Sequence, residues 1–348
     1  MTTLIIGGGL SGLALAEALQ AREQNYLLVE ARTRLGGRIK TEHYGGGAFD
    51  MGPTWFWPGQ PLIASLIARL NLSKFDQFAD GDLVYEDGRG QIQRGRGFSS
   101  MQGSWRLAGG LGALIDALAD SLPADRVRLD TAVTTLTQTD SGIALTSEAG
   151  ERFRADRVVL CMPPRLAANI SFAPALGDGA IAALQNISTW MAGQAKVLAL
   201  YDTPFWREAG LSGDAQSHFG PMVEIHDASP EHGGPYALFG FIGVPPKGRA
   251  DETTLRQHVT AQLTRLFGPK ATQPTQLLIK DWAFDPLTAT KADMAPVHTH
   301  PTYGLPEALK GFWDEQLLFS GSELAPQFGG YLEGALEAVE NVLSILKK

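Results

Sequence analysis

At 348 residues, with 44% hydrophobic residues, a single cysteine and a formal net charge of −8, the chain is long enough for two domains with cores of their own. The lone Cys161 excludes an intramolecular disulfide, a Cys-x-x-Cys redox pair and a thiolate cluster, and reads as a reducing, cytoplasmic setting. The acidic balance, with pI near 5.4 and no Lys/Arg-rich run, speaks against nucleic acid or an anionic membrane as partner, and no apolar run predicts a membrane span or a signal peptide.

Along the chain, Leu4-Ile5-Ile6 is a short apolar run ending in Gly7-Gly8-Gly9-Leu10-Ser11-Gly12, after which Leu13, Leu15, Ala16 and Leu19 recur at helical spacing. Tyr26 to Val29 is a second β-prone run that stops at Glu30, so a β-α-β unit fits within thirty residues. This is the pattern of a dinucleotide fingerprint. Gly7 permits the turn, Gly9 lets backbone approach a pyrophosphate, Gly12 allows close helix packing, and Glu30 is placed for ribose hydroxyls. The helix N-terminus at Leu10 and Ser11 offers free N–H donors to phosphate.

Further glycines cluster in Leu35-Gly36-Gly37-Arg38, Gly45-Gly46-Gly47 and Gly52-Pro53, part of a total of 40 that is well above the usual share of about 7%. Leu107 to Gly112 opens another helix, followed by β-like runs over 127–136 and 158–162. Residues 171–311 carry strand-like segments, Lys196 to Tyr201 and Tyr236 to Ile242 among them, and one amphipathic helix from about Glu252 to Leu266. Gly321, Gly329, Gly330 and Gly334 precede a terminal helix that runs to about Leu346. The simplest partition is a discontinuous nucleotide domain, 1–60, 107–170 and 312–348, and a second domain, 61–106 and 171–311, inserted into it.

These blocks resemble the flavin-containing amine oxidases, a family that includes monoamine and polyamine oxidases. Gly7 to Gly12 with Leu28 to Arg38 looks like the family's FAD signature, Phe319 to Glu323 and Gly329 to Ala335 look like its closing block, and Lys196, Tyr201 and Pro204-Phe205-Trp206 fall at the family's spacing. The resemblance implies an α/β fold: an FAD-binding Rossmann-like domain of the glutathione-reductase type with an inserted α+β substrate domain on a mixed or antiparallel sheet. It implies noncovalent FAD, because Thr290, Lys291 and Ala292 stand where the mitochondrial relatives carry the attachment cysteine. It assigns Gly7, Gly9, Leu10, Ser11, Gly12, Glu30, Arg32, Gly37, Arg38, Val133, Glu323, Tyr331 and Leu332 to the cofactor. Between about Pro61 and Leu107 the chain lacks the long helical insertion of full-length relatives, and nothing in the sequence settles the oligomeric state.

The chemistry implied is hydride transfer from the carbon next to a neutral amine nitrogen to flavin N5, then imine hydrolysis and reoxidation by O2 or another acceptor. A lysine in the apolar run Lys196-Val197-Leu198-Ala199-Leu200 is costly as a cation, and burial lowers its pKa. The resemblance makes Lys196 and Tyr331 catalytic, Tyr331 as one wall of an aromatic slot whose second wall falls on Ala292. Trp55, Trp57, Phe205 and Trp282 are candidate substrate-cavity aromatics, and no metal site is indicated, His298-x-His300 reading as a solvated pair. Two alternatives stay open: an FAD-dependent carbon–carbon dehydrogenase of the phytoene desaturase or protoporphyrinogen oxidase kind, and a low-turnover flavin-binding module.

Overall fold

The computed structural model describes residues 1–295, 297 and 299–346. A five-stranded parallel sheet forms its base, in the spatial order Leu317–Ser320, Arg157–Cys161, Thr2–Ile6, Asn25–Val29 and Val127–Arg128. Its strands are apolar on both faces because both are covered. Ile5, Leu28 and Val159 face one core with the helices Leu10–Gln20, Pro61–Arg69, Gly112–Asp120 and Leu332–Leu346. Leu4, Ile6, Val29, Val158 and Leu160 face the other, which a four-stranded sheet of Val133–Thr139, Gly142–Ser147, Arg152–Ala155 and Ser171–Ala173 closes. The single β-run foreseen over 127–136 is thus two strands in different sheets, with a break at Leu129–Ala132.

The other large unit is a seven-stranded mixed sheet in the order Gln276–Asp281, Ala195–Tyr201, Tyr236–Ile242, Met222–Asp227, Leu211–Ser217, Asp82–Glu86 and Ile92–Gly95. It is antiparallel except where Leu211–Ser217 runs parallel to Asp82–Glu86. The helix Glu252–Phe267, started by Asp251 accepting the N–H groups of Thr253 and Thr254, covers one face through Leu255, Val259, Leu263 and Leu266. The strand Ala195–Tyr201 is buried throughout. Its odd positions Ala195, Val197, Ala199 and Tyr201 enter that core, while Leu198 and Leu200 pack on the opposite face with Phe49, Met51, Trp55 and Phe239. Period-two alternation therefore sends Lys196 toward the nucleotide domain rather than to solvent.

Two stretches foreseen in the inserted unit pack on the nucleotide side instead. Pro61–Arg69 does not join the inserted unit: Ile63, Leu66 and Ile67 pack with Leu13, Leu336 and Val339 in the nucleotide-side core. Likewise Ser171–Ala173 adds to the four-stranded sheet, and Leu184 of the helix Asp178–Asn186 packs beneath it. These stretches are amphipathic, and their apolar faces were free to pack on either unit until the topology was known. Among the described residues, no helix is long and apolar enough to cross a membrane.

Candidate active site

One cleft runs between the two units, lined at one end by Gly7, Gly9, Leu10, Ser11, Glu30 and Arg32, and at the other by Lys196, Trp57 and Tyr331. The glycine turn shows why each position excludes a side chain. Gly7 has φ +111°, and a Cβ there would lie 2.3 Å from the Cys161 carbonyl oxygen. A Cβ on Gly12 would lie 1.9 Å from the Gly7 carbonyl, so Gly12 sits beneath the cleft and brings helix to strand. Gly9 differs: the nearest atom to its Cβ would be 3.9 Å away. Space is kept open over Gly9, at the start of the helix Leu10–Gln20, which has no side-chain cap. Glu30 is buried, and each carboxylate oxygen accepts one backbone N–H, from Gly8 at 2.6 Å and Arg32 at 2.8 Å. Each oxygen keeps a lone pair for a further donor.

Around the middle of the cleft, Arg38 donates to Glu323 Oε2 at 2.9 Å and to Ser322 Oγ at 3.1 Å. Burial works against the Arg38 charge, but Glu323 outweighs it and holds the guanidinium above its ordinary pKa. Burial likewise opposes the Glu323 charge, and Arg38 brings that carboxyl below its usual range. Glu323 is fully buried, also accepts the Trp190 N–H at 3.2 Å, and does not line the cleft. Glu323 reaches the cleft through Arg38, which lines it, rather than lining it itself. Arg32 is turned as well: it donates to Asp285 at 2.7 and 3.2 Å and to Thr288 at 2.9 Å, with Lys280 on the same carboxylate at 2.6 Å. Burial alone would raise the Asp285 pKa, yet these two cations bring it down to about 2. Arg32 thereby clasps the inserted unit to the nucleotide unit across the cleft.

Lys196 is buried at the opposite end, where Nζ donates to the Gly52 carbonyl at 2.6 Å and Thr54 Oγ1 at 2.5 Å. The rings of Phe239 and Trp55 lie 4.4 and 5.5 Å from Nζ. Burial brings its pKa from 10.5 down to about 7, with buried Asp50 holding it up and Arg106 pushing it further down. Gly52 admits no side chain, because a Cβ there would meet the Arg38 carbonyl at 1.9 Å. Phe241, the register partner of Lys196 on the next strand, lines the cleft beside it.

Tyr331 is 38% exposed, meets Trp57 edge to face at 6.2 Å and 89°, and stacks on His300 at 5.3 Å and 19°. Ala292 is exposed on the short 3-10 turn Lys291–Met294 and does not line the cleft, so the second aromatic wall is not built from that segment. His300 is exposed in a loop, with the rings of Trp190 and Tyr331 beside it, and His298 lies outside the described residues. Trp55, Trp57, Trp282, Val133 and Leu332 all line the cleft. Phe205 does not. It is buried in the far core against Tyr201 and Trp206, at 5.0 Å from each, because the short helix Phe205–Glu208 turns its aromatic side inward. Thr54, Trp190, Gln194 and Phe241 line the cleft without having been foreseen. Phe241 follows from strand register; the other three sit in irregular segments with no periodic signal.

The arrangement suits FAD. The open space over Gly9 and the free helix start take a pyrophosphate, the spare lone pairs of Glu30 take ribose hydroxyls, and a long cleft continues to Lys196. The Cys161 thiol, at the cleft wall, is pushed up to about 12 by burial, which keeps it protonated near neutral pH.

Residues 10–97 and 92–342 match the family model for flavin-containing amine oxidoreductases. The chain belongs to that family. It is 24% identical over 443 residues to an L-amino acid dehydrogenase of Synechocystis sp., covering 97% of this chain and 93% of that protein. It is 23% identical over 416 residues to putrescine oxidase of Kocuria rosea, covering 85% of this chain and 86% of that one. In fold it is similar to the solved structure of cyclohexylamine oxidase from Brevibacterium oxydans, at TM-score 0.84 and 20% identity, covering 100% of this chain and 99% of that one.

Proposed function

We propose that the protein oxidises the C–N bond of a small-molecule amine with noncovalent FAD, releasing an imine, and that O2 takes up the electrons to give H2O2. FAD, when bound, supplies the hydride acceptor and the route for electrons to oxygen. The observation that carries the reading is the buried Lys196 in the cleft, held by Gly52 and Thr54 with a pKa of about 7. Near neutral pH this amine exists in both protonation states, so it can hold a water or pass a proton at the redox end of the cleft. Tyr331 and Trp57 exclude water and favour the uncharged substrate amine over its ammonium, the form that can lose hydride. Gly7, Gly9, Leu10, Ser11, Glu30, Arg38 and Val133 bind the cofactor, with Arg32 and Glu323 acting through the side chains they hold.

Anaerobic mixing of the holoenzyme with a panel of mono-, di- and amino-acid amines is the test. Bleaching of the flavin band near about 450 nm by an amine supports amine oxidation. Bleaching by a polyene or porphyrinogen and by no amine moves the reaction to carbon–carbon bonds. Lys196→Met should slow flavin reoxidation while FAD stays bound; an unchanged rate would return Lys196 to a packing role.

A further inference from the structure

The glycine cluster Gly109-Gly110-Leu111-Gly112 does not line the cleft, and its packing shows what it serves. Gly110 has φ +73°, and a Cβ there would lie 2.7 Å from Thr41 Cγ2 and 3.0 Å from Asp50 Oδ1. A Cβ on Gly112 would lie 2.8 Å from Thr41 Oγ1. Without those side chains, the start of the helix Gly112–Asp120 closes on the hairpin of Thr41–Tyr44 and Gly47–Asp50, whose register sets Thr41 opposite Asp50. The buried Asp50 carboxylate accepts the Leu111 N–H at 2.9 and 3.1 Å and the Thr41 hydroxyl. Burial pushes this carboxyl up, but the groups that touch it are donors, and the helix start adds the positive end of its dipole, which suits an ionised carboxylate.

Asp50 opens the strap 50–54, which carries both acceptors of Lys196, the Gly52 carbonyl and the Thr54 hydroxyl. Trp282 pins the same strap, its indole N–H donating to the Met51 carbonyl at 2.9 Å. Both acceptors are neutral, so these hydrogen bonds leave the charge of a protonated Lys196 to be balanced from further away. Lys280, in register with Lys196 on the neighbouring strand, is held by Asp285 at 2.6 Å. On the other side, beyond Phe241, Glu224 is bonded to His226 at 2.9 Å, and Asp214 holds the other ring nitrogen at 2.5 Å. Buried Arg106 gives its donors to the Ser229 and Ala228 carbonyls, at 2.6 and 2.9 Å. Asp50 is the carboxylate that acts on both Lys196 and Arg106, favouring the charged form of each, while Arg106 disfavours the charge on Lys196.

We infer that Asp50 is a positioning residue for the redox end of the cleft: its carboxylate, seated on the helix start by Gly110 and Gly112, fixes the strap that aims the Lys196 amine and supplies the negative charge which that amine faces. This rests on the reading of Lys196 as the amine that serves the reaction. Holoenzyme reduced with dithionite and mixed with oxygenated buffer, from about pH 5 to pH 10, gives a reoxidation profile whose Lys196-dependent pKa is the one missing in Lys196→Met. Asp50→Asn keeps the shape and an acceptor for Leu111 but removes the charge, so that pKa should fall by about one pH unit or more, with FAD content unchanged. In the apoprotein, the rise of the denaturant midpoint with pH should begin about one pH unit lower as well. Thr41→Val disturbs the same packing and keeps the carboxylate, so it should lower stability and leave the pKa in place. In the Lys196→Met background, Asp50→Asn should change the reoxidation rate by less than about twofold, because it acts through the amine. Asp50→Ser also keeps an acceptor at the helix start and is measured in the same way where the Asn variant does not fold. A Lys196-dependent pKa that stays in place without the Asp50 charge overturns the inference and leaves amine oxidation standing, as does an undiminished effect of Asp50→Asn in the Lys196→Met background. A wild type with no Lys196-dependent pKa in rate or stability overturns the inference together with the role of Lys196. Amine oxidation fails separately, by the absence of flavin reduction with every amine.

Discussion

Replacing Lys196 by methionine keeps the length of the side chain and removes its charge. The folded lysine gives up its proton near pH 7, because it is buried, whereas the unfolded chain holds its proton until about pH 10.5. Between those values the unfolded state binds more protons, so wild-type stability rises with pH across this window and the penalty is complete below it. At about 1.4 kcal/mol for each tenfold change in proton affinity, the fall corresponds to about 5 kcal/mol of penalty at pH 6, an upper bound since the site relaxes around a charge. Against this, methionine leaves the Gly52 carbonyl and Thr54 hydroxyl without their donor, at a cost of about 1–3 kcal/mol for each buried group. The Met variant should thus match or exceed the wild type in stability near pH 6 and fall below it near pH 10. Denaturant midpoints measured at both ends of the window check this. A stability difference that is flat with pH would show that Lys196 is solvated or charged throughout, and the argument for its burial would fail.

Gly9→Ala should fold and lose FAD, since the added methyl meets no protein atom and enters only the open space, whereas Gly12→Ala should fail to fold stably because its Cβ would lie 1.9 Å from the Gly7 carbonyl. Thermal melts of the apoprotein alongside FAD titration separate the two, and an apoprotein of Gly12→Ala as stable as the wild type would be incompatible with the packing. Asp285→Asn should weaken FAD retention by loosening the Arg32 clasp. In the wild type, the part of stability due to this ionised Asp285 should be present above about pH 4 and lost as the pH falls through about 2, the variant lacking that dependence. Phe205→Leu should lower stability by about 1–3 kcal/mol and leave the KM for amine unchanged, as expected for a core aromatic; a raised KM with normal stability would return Phe205 to the cavity.

The nucleotide end of the cleft was legible because its physics is local. A turn with positive φ, a helix start and an acid at the end of the next strand are set by residues close in sequence, and a Cβ on Gly12 would strike the Gly7 carbonyl of the same motif, although the close approach at Gly7 is to Cys161 of a distant strand. Lys196 was legible as a charge in an apolar strand, and strand period alone decided which face it took. Local sequence also gave the terminal helix Leu332–Leu346 and the strand Tyr236–Ile242.

The substrate end was decided only in three dimensions. Trp57 and Tyr331 are far apart in the chain, and their contact depends on where the helix Pro61–Arg69 docks, which the apolar spacing of Ile63, Leu66 and Ile67 leaves undetermined. The same holds for Phe205, whose aromatic character could not say which side of the sheet it would pack on, and for Arg32 and Glu323, whose partners come from distant segments. An apolar or charged side chain states what it must be buried with or paired to, but not which of several chemically equivalent partners it meets. Chain topology makes that choice, and here it built the glycine-turn end of the cleft around one short motif and the Lys196 end from residues that only folding brings together.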